Sequence, residues 1–315
     1  APNTLSNVWV VQNSAGDTVT LTAGTGANVV IPNGGIRMVA TDGGGSGAAV
    51  TDVLDVLGGT SNVALGSGAM GVALTTGSDN VAIGENALDA VTTGRDNVAV
   101  GDGAGGAITT GIGNIAIGSD ALDAVTTANS NVAVGMAALG ANTSGASNTA
   151  VGDNALLTNT TGANNTAVGA LALDANTTGA ANTSVGKGAL TTNTTGDSNV
   201  AVGKGALEAS TTASNNTAVG ASSLEANTSG DNNVAVGKSS LLANTTGDKN
   251  TAMGIEALKT NTVGDRSVAI GYQALYTQNP ATNADMFNVA VGNGALFSST
   301  TAVSNTAVGG NALNA

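Results

Sequence analysis

From Asn62 onward the chain repeats itself with a period of 17 residues. The core Asn-Val-Ala-Leu-Gly at Asn62–Gly66 recurs to give 15 copies, whose closing glycines run from Gly66 through Gly84 and Gly101 to Gly309. Two steps depart from the period: 18 residues between Gly66 and Gly84, and 21 between Gly271 and Gly292. The unit reads N-[VT]-A-[VI]-G-x-x-A-L-x-x-x-T-T-G-x-x. So short a period cannot hold a helix pair or a propeller blade. It holds one coil of a parallel β-solenoid, with two short strands and two turns. The first strand, as in Asn97-Val98-Ala99-Val100, has β-branched residues at alternate positions. The second is expected at segments such as Ala121-Leu122, and Thr92-Thr93-Gly94 reads as a turn. Coils stacked at about 4.8 Å would build a rod of roughly 70 Å.

Composition agrees with a thin, stacked structure. Glycine fills 47 positions, aromatic residues make up 2% and charged residues 9%, against roughly 25% charged in a typical globular chain. Small side chains cannot fill a thick core. The net charge of −13, from 21 acids and 8 bases, argues against a basic nucleic-acid-binding surface. There is no His and no Cys, so the commonest general base, thiol nucleophiles, disulfides and thiolate zinc sites are all missing. Serine and threonine abound, but no base is placed to activate one. The chain is therefore read as non-catalytic, with no cofactor and no metal. No apolar run reaches the ~18 residues of a membrane helix, and no signal peptide is visible. The start at Ala1 without Met, and a last copy that stops in mid-coil at Leu313-Asn314-Ala315, are read as a processed chain or a fragment.

Two adjacent positions of the first strand are restricted at once. The third position of the core is Ala in every copy except Ser184, and the fourth is always Val, Ile, Leu or Met. Neighbouring strand residues point to opposite faces, so both faces are expected to be covered. One cover is the coil's own core, assigned here to the valines. The other is a second and third copy of the chain approaching the alanine side. That expectation makes Ala82, Ala99, Ala116, Ala133, Ala150, Ala167, Ala201, Ala218 and Ala235 the trimer interface. The opening Asn occurs in 14 of 15 copies, Ser267 being the exception. A column of stacked amides bonding to one another and to the turns explains it. The position after the closing Gly varies freely (Glu85, Asp102, Met136, Lys187, Lys204, Tyr272) and is expected to face water.

The N-[VT]-A-[VI]-G core resembles the head repeats of the YadA-type trimeric autotransporter adhesins over residues 60–315. The resemblance implies a left-handed parallel β-roll, three chains side by side, and an adhesive role. That family's repeat is shorter than the one found here. Residues 1–42 read as a small β-module, with strands at Val8–Val11, Thr18–Leu21, Val29–Ile31 and Ile36–Val39 and a turn at Asn33-Gly34-Gly35. This stretch is similar to small β-modules that precede the shaft in phage tail fibres. Residues 43–59 read as a Gly-rich joint, Gly43–Gly47, followed by a short helix over Ala48–Leu57 with Val50, Val53, Leu54 and Leu57 on one face. The expected product is a homotrimeric virion fibre: a phage tail or side-fibre shaft whose N-terminus docks toward other virion or fibre proteins and which presents a host-receptor-binding region. A bacterial surface adhesin is the alternative.

Three features could carry more than structure. All four Tyr and Phe residues, Tyr272, Tyr276, Phe287 and Phe297, fall around the insertion. With Asn279 and Asp285 they form a candidate receptor loop, against a reading as a local plug. Threonine pairs such as Thr160-Thr161 and Thr177-Thr178 suggest an ice-binding column as a remote alternative. Asp89, Asp120, Asp123 and Asp153 could bind calcium, but none sits in a calcium-loop pattern, so they are read as solvated surface acids.

Overall fold

A computed structural model describes the backbone of five N-terminal strands and, with side chains, residues 62–71 and 74–314. It is all-β, and the repeat region is a parallel β-solenoid with the 17-residue period. The chain divides into two compact units, residues 1–130 and 131–315.

In the first unit, β1 (Val8–Gln12), β4 (Ile36–Thr41) and β5 (Val50–Leu57) form antiparallel neighbours, with Trp9 opposite Val39 and Arg37 opposite Asp55. β2 (Val19–Leu21) and β3 (Val29–Ile31) form a separate antiparallel pair. The four expected strands therefore all form. The Asn33-Gly34-Gly35 turn and the Gly43–Gly47 joint lie outside the described residues. The expected helix over Ala48–Leu57 does not form, because Val50–Leu57 is strand β5. Its Val50, Thr51, Val53 and Val56 are β-branched, and it runs between two partner strands whose ladder bonds outweigh a helical spacing of apolar residues. One partner is β6 (Asn62–Leu65), the first solenoid strand, which β5 meets antiparallel with Val56 opposite Val63. Then β7 (Val81–Ile83), β8 (Val98–Val100) and β9 (Ile115–Ile117) stack parallel in strict register.

The second unit stacks its own strands in the same way: β10 (Val132–Val134), β11 (Thr149–Val151), β12 (Thr166–Val168), β13 (Thr183–Val185), β14 (Val200–Val202), β15 (Thr217–Val219), β16 (Val234–Val236), β17 (Thr251–Met253), β19 (Val268–Ile270), β21 (Val289–Val291) and β22 (Thr306–Val308). Each residue pairs with its equivalent one period on, as in Val200↔Thr217, Ala201↔Ala218 and Val202↔Val219. Two short segments, β18 (Gly264–Asp265) and β20 (Ala284–Asp285), pair parallel beside the insertion.

The expected second strand of each coil is replaced by a run of turns. Residues at alternate positions take left-handed backbone, such as Asn154 (φ 54°) and Leu156 (φ 55°). The N–H of Ala155 then reaches back to the Gly152 carbonyl at 3.2 Å, while that of Leu156 bonds to Ala172 in the next coil at 3.0 Å. A left-handed leucine costs about 1–2 kcal/mol. The return is a large side chain turned fully inward, since Leu122, Leu139, Leu156, Leu173 and Leu190 are completely buried.

The closing glycine is needed for a different reason. Gly203 has φ +132°, and a Cβ there would lie 2.7 Å from the carbonyl carbon of Gly220 in the next coil. Both the dihedral and the contact exclude a side chain. Gly203→Ala is expected to destabilise the solenoid by about 3 kcal/mol, read as a lower denaturant midpoint. Ala221→Ser, one residue past the next closing glycine, should leave the midpoint unchanged.

Candidate functional site: an outward apolar stripe over an amide-laddered core

The interior of each coil is narrow and partly polar. Asn165 shows the recurring pattern. Its Oδ1 accepts the backbone N–H of Asn182 at 2.9 Å, and its Nδ2 donates to the Gly179 carbonyl at 2.9 Å. The amide thus ties one coil to the next and the strand to the turn, as the sequence led us to expect. A second buried ladder was not foreseen. In the second unit Asn142, Asn159, Asn176 and Asn193 stack side chain to side chain, with Asn159 Nδ2 donating to Asn142 Oδ1 at 2.8 Å and Asn176 Nδ2 to Asn159 Oδ1 at 2.7 Å. Each also caps the turn, as Asn159 does at Gly162. In the first unit the same register position holds the buried apolar residues Val91, Ile108 and Val125. The signal was present in the sequence as the Asn that precedes the Thr pair.

This interior reverses one expectation. Ala82, Ala99, Ala116, Ala133, Ala150, Ala167, Ala201, Ala218 and Ala235 are at most 1% exposed within a single chain. They line the coil's own core and are not available as an interface. A 17-residue coil that already encloses two amide or apolar columns and a leucine leaves room only for a methyl group there. The β-branched positions on either side of the alanine face outward. The fourth core position, apolar in every copy, is partly exposed: 38% at Ile83, 39% at Ile117, 37% at Val168 and 43% at Met253.

The candidate receptor residues do not form one cluster. Tyr276 and Phe297 stack at 5.0 Å with rings 6° apart, and Lys259 Nζ sits 5.5 Å from the Tyr276 centroid. Phe287 lies at the turn, half exposed, with the Arg266 guanidinium 5.7 Å from its centroid, and Arg266 also pairs with Asp285. Tyr272 stands apart in the column after the closing glycine, also exposed. Asn279 accepts hydrogen bonds from the N–H and hydroxyl of Thr262. The insertion itself seats Pro280 and Met286 in the interior. Both stand against the one face of Gly264 where a Cβ would have pointed. Much of the insertion is thus a plug, and Tyr272 and Phe287 are the rings left free for contact.

The plug coincides with a repaired ladder. Ser267 replaces the opening Asn and is too short to reach the turn. Gln278 replaces the neighbouring Asn and is longer. Its Nε2 donates to the Ser267 hydroxyl at 3.0 Å, and its Oε1 accepts from Asn288 Nδ2 at 2.9 Å. No such repair accompanies Ser210, which interrupts the second ladder. Ser210 Oγ and the Asn193 Oδ1 facing it are buried without partners.

The first hydroxyl of the threonine pairs is committed to the fold. Thr160 Oγ1 donates to the Thr177 carbonyl and Thr177 Oγ1 to that of Thr194, both at 2.9 Å. The second residue of each pair, as at Thr161, Thr178 and Thr195, is exposed. Among the described residues no group of three or more acids is arranged to hold a metal ion, and no helix could cross a membrane. Burial raises the Asp123 carboxyl above its ordinary value, with Asp120 and Asp89 adding repulsion. Burial also raises Asp174, whose Oδ1 has no partner. No family model, no curated protein and no solved structure matches this chain.

Two predictions follow from the orphaned groups. Ser210→Asn should rejoin the second ladder and stabilise the protein by about 1 kcal/mol, whereas Ser267→Asn, where Gln278 already fills the gap, should not stabilise it. Thermal denaturation of the two variants side by side separates them. Asp174 has a folded-state value above its unfolded one, so its charge opposes folding at neutral pH and stability rises as pH falls through the raised value. Asp174→Asn should be more stable than the wild type at pH 7, and the difference should shrink on acidification in parallel melts.

Proposed function

We propose that this chain is a non-catalytic structural and adhesive fibre protein, a bacteriophage tail- or side-fibre shaft that assembles as a homotrimer and presents a host-receptor-binding region. One observation carries the reading. An apolar residue points outward at the fourth core position of all 15 copies, partly exposed and never replaced by a polar side chain. A surface with no partner has no reason to exclude polar residues so consistently, and monomeric proteins rarely expose contiguous apolar patches beyond roughly a few hundred Å². A continuous ladder of β-branched residues fits a second sheet of the same spacing, which another copy of the chain supplies. The number three comes from the resemblance to the trimeric adhesin heads. The interface is thus moved from the alanine face to the Val and Ile face, with Val202, Val219 and Val236 at its centre in the second unit. The N-terminal strands, similar to modules that precede tail-fibre shafts, would dock toward other virion proteins. Tyr272 and Phe287 are the exposed rings offered to a receptor on the host surface. Localisation to the virion follows from the same resemblance.

The test is the mass in solution. Light scattering should give three times 29.8 kDa for the wild type. Val202→Lys combined with Val236→Lys should give single chains that keep the β-rich circular dichroism spectrum. A wild type that stays a single chain at working concentrations would remove the fibre reading.

A further inference from the structure

The column one residue past the closing glycine borders the apolar stripe and carries its charge unevenly. In the first unit it holds Glu85 and Asp102, with Asp120 beside it one coil further on, and all three are exposed. In the second unit it holds Lys187, Lys204 and Lys238, also exposed. These are three of only 8 basic residues in a chain of net charge −13. The ion pairs among the described residues are Arg95–Asp96, Lys259–Glu256 and Arg266–Asp285, so none of the three lysines is paired. Their neighbours Gly188 and Gly205 have no side chains to screen them. Glu208 leans over Gly205, and the charge of Lys238 acts on the Glu256 carboxylate, which itself pairs with Lys259. Lys187 and Lys204 are stacked one coil apart, about 4.8 Å in a solenoid. Like charges at that spacing repel unless a counter-charge lies alongside. Glu85 and Asp102 repeat the same one-coil spacing with the opposite sign. Asp153, in the second unit, is the one acid of this column on the lysine side of the chain.

We infer that the lysine edge formed by Lys187, Lys204 and Lys238 docks against the acidic edge formed by Glu85, Asp102 and Asp120 of another copy of this chain, so that fibres associate laterally. The inference rests on the fibre reading for its context and names a second, separate contact. The contact is heterologous, one set of residues on one copy meeting a different set on its neighbour. A free anionic polymer would account for the lysines alone. A second copy accounts for both edges, because Glu85 and Asp102 repeat the one-coil spacing of Lys187 and Lys204 with the opposite sign. Charge complementarity of this kind directs encounter and register more than it adds affinity. Association is therefore weak and strongly dependent on salt.

Sedimentation velocity of the full chain at about 0.01 M and about 1 M salt, where the screening length falls from roughly 30 Å to 3 Å, tests this. At low salt a species larger than the basic fibre should appear, and it should disperse at high salt. The combined Lys187→Glu, Lys204→Glu, Lys238→Glu variant and the combined Glu85→Lys, Asp102→Lys, Asp120→Lys variant should each lose it. Mixing the two folded variants should restore it. The high-salt mass reports the trimer independently, so single chains there with salt-sensitive pairing at low salt would overturn the fibre reading and leave the docking. No larger wild-type species at low salt, or one that survives in either variant alone, would overturn the docking. So would wild-type fibres that stay dispersed at low salt yet bind polyphosphate through the three lysines, which would assign the edge to anionic polymers.

Discussion

The hydrogen bond from the backbone N–H of one opening asparagine to the side-chain oxygen of the previous one holds this fold in register. Asn182 to Asn165 at 2.9 Å and Asn233 to Asn216 at 2.9 Å are two instances of a bond repeated from coil to coil. A buried amide left without partners costs about as much as a whole hydrogen bond contributes. Each asparagine therefore fixes the next one directly above it, and the coil between them must return to the same place. The constancy of the 17-residue period follows. The one long step, 21 residues between Gly271 and Gly292, occurs where the ladder has been altered. Ser267 and Gln278 together keep the amides paired while the chain makes its detour.

That interior decides what the exterior is able to do. With asparagine, leucine and two alanines per coil turned inward, the cross-section closes within one chain. The residues free to meet anything else are the β-branched pair of the strand, the column after the glycine, and the turns. All are columns whose members sit at fixed intervals along the stack. A surface of this kind recognises extended, repeating objects, above all another copy of itself, more readily than a small molecule. This is the physical link between the repeat and the proposed fibre, and it does not depend on where any one ligand binds.

Much of this was legible in the sequence. The period, the three-residue strands and the closing glycine could be read from residues such as Val98, Ala99, Val100 and Gly101, because each has a local chemical reason. The direction of the strand's faces could not. Alternation shows that Val98 and Ala99 point apart, but it does not show which one points in. Restriction at both positions made the larger side chain look like core. The missing quantity was the width of the coil, and that is set by left-handed leucines such as Leu156, a conformation that sequence patterns discourage one from expecting. The same gap turned Ala155-Leu156 from an expected strand into turns. Val50–Leu57 differs for another reason: its apolar residues have a helical spacing, but the edges of β4 and β6 on either side recruit it as a strand. Of the candidate receptor residues, the sequence located the insertion and its rings. It could not separate the plug, Pro280 and Met286, from the exposed Tyr272 and Phe287, since that division depends on which column each residue enters.

A stacked repeat separates constraint from freedom along its columns, which makes variation within them informative. Exchanges in the inward columns are compensated at some positions, as Ser184 does by bonding the Ala189 carbonyl at 2.7 Å or as Gln278 does for Ser267. Where compensation is absent, as at Ser210, buried groups go unpaired. The column after the closing glycine bears no such constraint, and random drift would scatter its charges. Instead Glu85 and Asp102 lie in one unit and Lys187, Lys204 and Lys238 in the other, with Asp153 the one acid on the lysine side. The ion pairs among the described residues leave these three lysines out, and only Lys238 acts on a nearby carboxylate, that of Glu256. The proposed docking supplies a cause outside the single chain, since Glu85 and Asp102 match Lys187 and Lys204 at the one-coil interval with the opposite sign.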